Sequence, residues 1–486
     1  MFGSVTALTL VDLPYRGGVR HYHLPDAVRD AEAPLLDSLP DGALMRRAAH
    51  GLARVCASEL AARTGGVTGR RVTLLVGSGD NGGDALFAGA DLRRRGVAVE
   101  AVLLAPDRAH PAGLAALRRA GGRVTATPDR PDLVVDGIVG ISGRGALRPD
   151  AARIVDMIDA PIVAADTPSG VDMRTGVVHG PAVAAAVTVA FGALKPVHAL
   201  APAQCGRVEL IDIGLRLGPG DLRSLEDADV AALWPVPGAA DDKYSLGVLG
   251  VVAGGADYPG AAVLATGSAI RATSGMVRYA GTARDAVLAA WPEAVASDDP
   301  AAAGRVQAWA VGPGMGVDDA AADRLARVLD QDLPTVIDAD GLTLLAEHPG
   351  LLAGRTAPTV LTPHAGEFAR LAGPVGNDRV AAAREAARDF DATVLLKGHV
   401  TVVAGPDGRT VVDTAGSSWA ATPGSGDVLT GIIGKLLASG LGPLDAAACA
   451  ARVHGLAAAR AADGAPTHAA AISAALPDVL RDLLRD

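Results

Sequence analysis

Two successive stretches of the chain are built to one plan: short β-branched runs end in glycine or aspartate, and amphipathic helical stretches separate them. In the first stretch the runs are Arg71–Val76, Val97–Leu104, Leu133–Asp136, Pro161–Asp166, Val187–Phe191 and Val208–Ile213. In the second they are Val248–Ala253, Ala308–Val311, Thr335–Asp338, Thr359–Thr362 and Thr393–Leu396, then Val400–Ala404 and Thr410–Val412, which GPDG joins as a hairpin. Strands that alternate with helices this regularly form a parallel sheet covered on both faces. The fold class is therefore α/β, in two domains. Leu217–Ser245, rich in Gly, Pro and Asp, separates the blocks. We expect a first domain over 1–220, a linker over 221–242 and a second domain over 243–486. Helices are expected over Gly42–Arg63, Gly426–Ser439 and Leu444–Ala462. The first thirty residues lack periodicity and read as a flexible arm.

Composition narrows the function. The chain has 486 residues, 49% hydrophobic and 20% charged, which excludes global disorder. A net charge of −10 argues against a basic nucleic-acid footprint, and 3% aromatics against a stacking platform for single strands. Any phosphate must then be held locally, by backbone amides or a metal. Cys56, Cys205 and Cys449 lie far apart with no CxxC spacing, which disfavours a disulfide framework or a zinc site and fits a reducing compartment. The N-terminus lacks the features of a signal peptide, and the longest apolar stretch, Pro181 to Leu194, is too short to span a bilayer. We expect a cytoplasmic homo-oligomer with small-molecule substrates and neither a nucleic acid nor a membrane as partner. His21 and His23, without a nearby third ligand, read as surface residues.

After the first run, Val76-GSGDNGGDA opens a helix. Gly77, Gly79, Gly82 and Gly83 let backbone N–H groups approach an anion, and the helix N-terminus adds partial positive charge. No Lys-Ser/Thr pair follows, so this is not a Walker loop. Asp80, Asn81 and Asp84 are costly polar choices for a purely structural turn. VVDGIVGISGRG ends a strand on Asp136 and follows it with flexible Gly140, Gly143 and Gly145. AADTPSGVDMRTG puts Asp166 at another strand end, and Pro168, Ser169 and Gly170 turn the chain. Strand C-termini of an open parallel sheet converge on one crevice, so Asn81, Asp136 and Ser169 could offer oxygens to one hard cation. Simple capping of turns by Asp136 and Asp166 is the alternative.

These motifs, with TVAFGALKP over Thr188–Pro196, resemble the NAD(P)H-hydrate epimerase family from about Gly42 to Gly214. The resemblance implies a Rossmann-like three-layer sandwich and potassium held by Asn81, Asp136 and Ser169. It implies that hydrated nicotinamide nucleotide is bound by three groups of residues. One is Asp80, Asn81, Gly82, Gly83 and Asp84; another is Gly140, Ile141, Ser142, Gly143, Arg144, Gly145 and Ala146; the last is Asp166, our candidate for acid–base work. Asp80 departs from the usual Asn, and Ala85 from the usual Gly.

In the second block, Thr422-PGSGDVLTG precedes a helix. Gly424, Gly426 and the helix start form an anion hole of backbone amides, with Asp427 in the first turn. A carboxylate beside an anion hole is placed to accept a hydroxyl proton while phosphate oxygens are stabilised. A helix-capping aspartate after a glycine turn is the structural alternative. Lys397-GHVT suits nucleotide phosphate or ribose contacts, and Asp338 and Glu367 would orient magnesium through water. Gly312-PGMG adds another glycine loop.

KYSLGVLGVVAGGADYPGAAVLA, GPGMG, DADGL, LTPHAGE, LKGHVT and GSGDVLTGIIGKLLA resemble the ribokinase-like superfamily, and more closely its ADP- or ATP-dependent NAD(P)H-hydrate dehydratases, over nearly all of Lys243–Ala462. The resemblance implies a ribokinase-like α/β/α domain. The hydrate would contact Ala261, Gly314, Gly316, His364 and Asp427. The adenine nucleotide would contact Lys397, Gly398, His399, Val400, Thr401 and Gly426, and ADP or ATP would serve as phosphate donor. Together the halves imply a repair enzyme that epimerises the R and S forms of hydrated NADH or NADPH and dehydrates the S form. The alternative is a ribokinase-like small-molecule kinase with a non-catalytic nucleotide-binding first domain.

Overall fold

The computed structural model describes residues 18–485 except Ser142 and Arg144. The chain forms two compact units: His21–Leu222 with Val375–Ala382, and a second made mainly of Arg223–Pro374 and Ala383–Asp486. The part of the expected arm before residue 18 lies outside the described residues. Beyond it the expectation is corrected, because Pro25–Ser38 is a helix, α1, whose Val28 is buried. Pro25 at its first position and Asp26 in its first turn suit a helix start.

The first unit is α/β. Its strands are β1 (Arg71–Val76), β2 (Ala98–Leu103), β3 (Arg123–Thr125), β4 (Leu133–Gly137), β5 (Ile162–Ala165), β6 (Val187–Phe191) and β7 (Arg207–Ile211). They lie in the order β3-β2-β1-β4-β5-β6-β7, every pair parallel. Helices α2 (Ala43–Thr64) and α3 (Asp80–Arg94) bury Leu52, Leu60, Leu86 and Leu92 with Leu74 on one face. On the other, Leu147 and Ala151 pack with Leu75, Val134 and Ala164. The strand order reverses between β1 and β4, and it is there that an open parallel sheet leaves a crevice beyond its strand ends.

The second unit has strands β8 (Leu222–Ser224, which begins at the last residue of the first unit), β9 (Leu249–Val252), β10 (Val277–Ala280), β11 (Val295–Ser297), β12 (Ala308–Val311), β13 (Thr335–Ile337), β14 (Thr359–Leu361), β15 (Thr393–Leu396), β16 (Thr401–Ala404) and β17 (Thr410–Asp413). Their order is β8-β17-β16-β15-β14-β13-β12-β9-β10-β11. From β15 through β11 the pairs are parallel, and β16 and β17 form the antiparallel hairpin. Helices α4 (Pro259–Ala272), α5 (Ser425–Ala438), α6 (Pro443–Ala462) and α7 (Ala469–Leu483) supply much of its core. At Gly431 of α5 an added Cβ would lie 2.1 Å from the Ala265 carbonyl oxygen and the Ser268 hydroxyl. The two helices therefore meet nearly backbone to backbone.

The stretch 221–242 is not a bare tether. It holds β8 and a helix over Asp227–Leu233, and Leu225, Val230 and Trp234 belong to the second unit's core. The prolines and glycine of this stretch, Pro235, Pro237 and Gly238, all follow that helix, and Gly238 N donates to Asp241 Oδ2 at 2.7 Å. Trp234 is 5% exposed, and its indole N–H donates to the Ala272 carbonyl at 3.0 Å. Trp234→Ala should destabilise the second unit by about 3–5 kcal/mol. Urea denaturation followed by circular dichroism should show the loss in one transition only.

Candidate active sites

In the first unit β4 delivers Asp136, fully buried, to the reversal point. Its carboxylate accepts from Ser169 N at 2.8 Å, Ser169 Oγ at 2.7 Å and Ile138 N at 3.1 Å. Ser169 Oγ itself accepts from Val139 N at 3.0 Å. Burial pushes the Asp136 carboxyl up to about 6, against the pull of those hydrogen bonds. Asn81, in the first turn of α3, donates Nδ2 to the Ala165 and Val139 carbonyls at 2.9 and 3.1 Å. Asn81, Asp136 and Ser169 thus come together, as expected of a shared site. The donors there are one carboxylate, a hydroxyl, an amide and main-chain carbonyls. This all-oxygen set suits a hard cation and offers nothing to a soft one.

Asp166 follows β5 with φ +63°, a left-handed conformation that is strained for a residue other than glycine. Its carboxylate receives Lys195 Nζ at 2.5 Å and Phe191 N at 3.2 Å. Lys195 is 1% exposed, and its ammonium also donates to the Phe191 carbonyl at 3.0 Å. His198 Nδ1 accepts from Lys195 N at 2.9 Å, so Nε2 carries the proton and donates to the Asp166 carbonyl at 2.8 Å. Burial, with the Lys195 charge adding to it, pushes His198 down to about 4, so the ring is neutral. The sequence reading quoted Lys195 only as part of a signature and missed its pairing with Asp166. The usable signal was a lysine four residues after a strand that is buried throughout.

Asp166, Ser169 and Lys195 line a cleft of about 1000 Å³, whereas Asp136 and His198 are buried and do not reach it. Asp80, Asn81, Asp84 and the loop carrying Gly140, Ile141, Gly143, Gly145 and Ala146 also face it. Ser142 and Arg144 of that loop lie outside the described residues. Gly82 and Gly83 are buried in the first turn of α3 and do not line the cleft. A Cβ on Gly82 would sit 2.5 Å from the Gly77 carbonyl oxygen, so that glycine serves the tight turn. The expectation for the histidine pair is corrected. His23 is buried and donates its backbone N–H to the Leu194 carbonyl at 2.8 Å, while His21 Nδ1 accepts from Gly220 N at 3.1 Å.

In the second unit four adjacent parallel strands release their loops at one edge. Gly312–Gly316 follows β12, Asp338–Asp340 follows β13, Thr362–Glu367 follows β14 and Lys397–Val400 follows β15. Asp338, 1% exposed, accepts from Lys397 Nζ at 2.7 Å and Thr430 Oγ1 at 2.7 Å. Burial would raise this carboxyl, but the Lys397 charge and the hydroxyl donors hold it below the usual range. Burial likewise opposes the Lys397 charge, and Asp338 and Glu367 outweigh it and raise the ammonium's pKa. Glu367 Oε2 lies 3.6 Å from Lys397 Nζ and accepts from His364 N at 2.8 Å. His364 Nδ1 accepts from Gly366 N and Glu367 N, so His364 is the N-cap of the helix Ala365–Ala372.

Asp427 stands in the first turn of α5, after Gly424 at φ +83°. Burial first, then the neighbouring Asp338 charge, push its carboxyl up to about 7. Gly426 is beside the same ion pair, since a Cβ there would lie 3.4 Å from Lys397 Nζ and 3.5 Å from Asp338 Oδ2. Gly314 packs over α4, within 3.0 Å of Ala261 by the same measure, and Gly316 N donates to Asp340 Oδ2 at 3.0 Å. Of the run expected at the nucleotide, Gly398 and His399 are exposed and Thr401 half-buried, whereas Val400 is buried. Among the described residues no group of three or more His, Cys, Asp or Glu side chains is arranged to hold a metal, and no helix is long and apolar enough to cross a membrane.

Residues 41–197 match the family described as YjeF-related protein N-terminus, and residues 249–478 match NAD(P)H-hydrate dehydratase. The bifunctional NAD(P)H-hydrate repair enzyme Nnr of Mycobacterium tuberculosis is 64% identical over 435 residues, covering 88% of this chain and 92% of that protein. A solved ribokinase-like superfamily protein from Enterococcus faecalis is 25% identical, covers 56% of this chain and 99% of its own, and has a TM-score of 0.51. An ADP/ATP-dependent NAD(P)H-hydrate dehydratase from Bacillus subtilis, co-crystallized with ATP/Mg2+, is 30% identical, covers 53% of this chain and 97% of its own, and has a TM-score of 0.47.

The Asp338–Lys397 pair invites a direct test. Lys397→Met leaves a buried carboxylate without its cation and should cost about 3–5 kcal/mol of stability. Adding Asp338→Asn should return a large part of that loss. A double-mutant cycle by chemical denaturation measures the coupling, and simple additivity would show that there is none.

Proposed function

We propose that this chain, which belongs to the bifunctional NAD(P)H-hydrate repair enzymes, interconverts the R and S forms of hydrated NADH or NADPH in its first unit and dehydrates the S form in its second. The observation that carries the second activity is Asp427. It is a half-buried carboxyl in the first turn of α5, directly after a glycine turn and within reach of the Asp338–Lys397 pair. ADP or ATP supplies the phosphoryl group.

Asp427 takes the proton from the substrate hydroxyl as phosphate is transferred to that oxygen. The amides of the Gly424–Gly426 turn and the start of α5 stabilise the transferring phosphoryl oxygens. Phosphate then leaves and the ring double bond returns. Gly314, Gly316 and Ala261 wall the hydrate, and Lys397, Gly398, His399 and Thr401 hold the nucleotide. Magnesium neutralises phosphate charge when bound. Asp338, Asp340 and Asp427 put three carboxylates against one ammonium, an excess of negative charge that suits a cation. Asp338 and Glu367 would hold the ion through its waters, because their oxygens already accept protein donors.

In the first unit Asn81, Asp136 and Ser169 would hold potassium, whose charge would orient the bound substrate. Asp166, ion-paired with Lys195, accepts and returns a proton. Asp136→Ala should abolish epimerisation and leave dehydration nearly intact. Equal loss of both activities would give Asp136 a structural role instead. Replacing potassium by lithium in the wild-type assay should mimic the variant.

The central test incubates the protein with hydrated NADH and ADP and follows the absorbance of restored NADH. As a base, Asp427 must be ionised. Dehydration should therefore rise with pH up to about 7 and fall below it, in line with its raised pKa. Asp427→Asn should lower turnover about 10²–10⁴-fold, remove that pH dependence and leave nucleotide affinity and melting temperature near wild type. Near-normal turnover in the variant would sink the assignment.

A further inference from the structure

Helix α1 lies outside the family-matched segment 41–197, yet it forms part of the first cleft. Two ties hold it there: Arg29 Nη2 donates to the Ile141 carbonyl at 3.0 Å, and Arg174 pairs with Asp26. Its buried Val28 faces the core. Glu32 and Leu36, one and two turns further along, line the cleft with Asp84, Asp166 and Lys195. Glu32 is half-buried, and the charged groups that face it are Lys195, Asp166, Asp80 and Asp84 across the cleft and Arg29 on its own helix.

Two carboxyls in the cleft thus have opposite surroundings. Asp166 is ion-paired with Lys195 and bonded to Phe191 N. Among the described residues Glu32 makes no ion pair. Burial raises its pKa, and Asp166 and Asp80 add to the rise against the opposing Lys195 and Arg29. Divergent environments for two titratable groups are how one site provides both an acid and a base. A separate observation points to a ligand in the same cleft. Asp84 is buried, its Oδ1 has no hydrogen-bond partner among the described residues, and it lines the same cleft. Such an atom is costly unless a bound molecule donates to it.

The substrate's chemistry calls for that division of labour. The carbon bearing the hydroxyl also bears the ring nitrogen, so the hydrate is a carbinolamine. Its C–O bond breaks when the oxygen is protonated: water departs, and the nitrogen lone pair forms a C=N⁺ iminium. Water then adds to the other face, and the oxygen gives up a proton. No oxidant or reductant is needed, and substrate and product have the same formula.

Resting on the epimerase reading, we propose that Glu32 is a second catalytic residue of the first unit: its carboxylic acid protonates the departing hydroxyl, and Asp166 accepts the proton of the incoming water. Each turnover moves one proton from Glu32 to Asp166, and exchange with solvent through the open cleft restores both. In the opposite direction the two exchange roles.

The test measures interconversion of the separated epimers by chromatography, using the full-length protein without nucleotide so that dehydration is silent. Glu32→Gln should lower epimerisation kcat by about 10²-fold or more with KM changed less than about threefold. Glu32→Asp, which keeps the acid, should recover at least about tenfold of the loss. In the wild type, activity should decline on the alkaline side as Glu32 loses its proton, and Glu32→Gln should lack that limb. Dehydration of the pure S form with ADP should be unchanged. A Glu32→Gln enzyme with wild-type kcat and pH profile, while Asp166→Asn is inactive, overturns the assignment and leaves the epimerase reading standing. So does a loss that tracks a lowered melting temperature and is not rescued by Asp. A wild-type protein that cannot interconvert the epimers overturns both.

Discussion

Each unit is organised around a buried carboxylate at the C-terminal end of a central parallel strand. A buried charge is tolerated only when donors surround it, and those donors come from neighbouring strand ends and helix starts. Asp136 draws in Ser169 and the Ile138 amide, which fixes the turn after β5 against the loop after β4. Asp338 draws in Lys397 from the end of β15 and Thr430 from α5, which fixes the first turns of α5 over the sheet edge. Since Asp427 is in that first turn, its position follows from the satisfaction of Asp338. The polar residues that look catalytic in sequence are in part the ones that make a catalytic geometry possible.

The same economy of charge explains the unusual protonation behaviour. Asp427 and Asp136 are both raised, chiefly by burial, while Asp338 is held low by the lysine beside it. The two raised carboxyls have no ion pair among the described residues, whereas Asp166 and Asp338 each hold a lysine ammonium.

Much of the fold was legible because buried parallel strands leave a strong mark: β1, β6, β12 and β15 fall where their β-branched runs do. What escaped were short or mixed elements. β10 and β11, VRYA and VAS, are too brief and too polar to stand out. Helix α7 runs through Pro477, a residue that normally signals a break. The glycine and proline content of 221–242 hid a strand and a helix that gain their stability from tertiary packing. At the sites, motif residues could be read one by one, but their partners could not. The Asp166–Lys195 pair spans 29 positions and the Asp338–Thr430 pair 92, and only the folded sheet brings them together. Gly82 and Gly83 show the reverse: prominent in the motif, they serve the turn and the packing of α3 against Met45 and His110, and leave the cleft wall to Asp80, Asn81 and Asp84.

The crossing of α4 and α5 has a mechanical meaning. With Gly431 against the Ala265 carbonyl, there is no layer of side chains between the helices to deform. Such a joint transmits displacement instead of absorbing it, so the Ala261 wall and the Asp427 carboxyl travel as one block. The loops opposite are held to the same block, Gly312–Gly316 by the contact of Gly314 with Ala261 and Lys397–Val400 by the Lys397–Asp338 pair, so the whole edge of the sheet resists being opened at any one point.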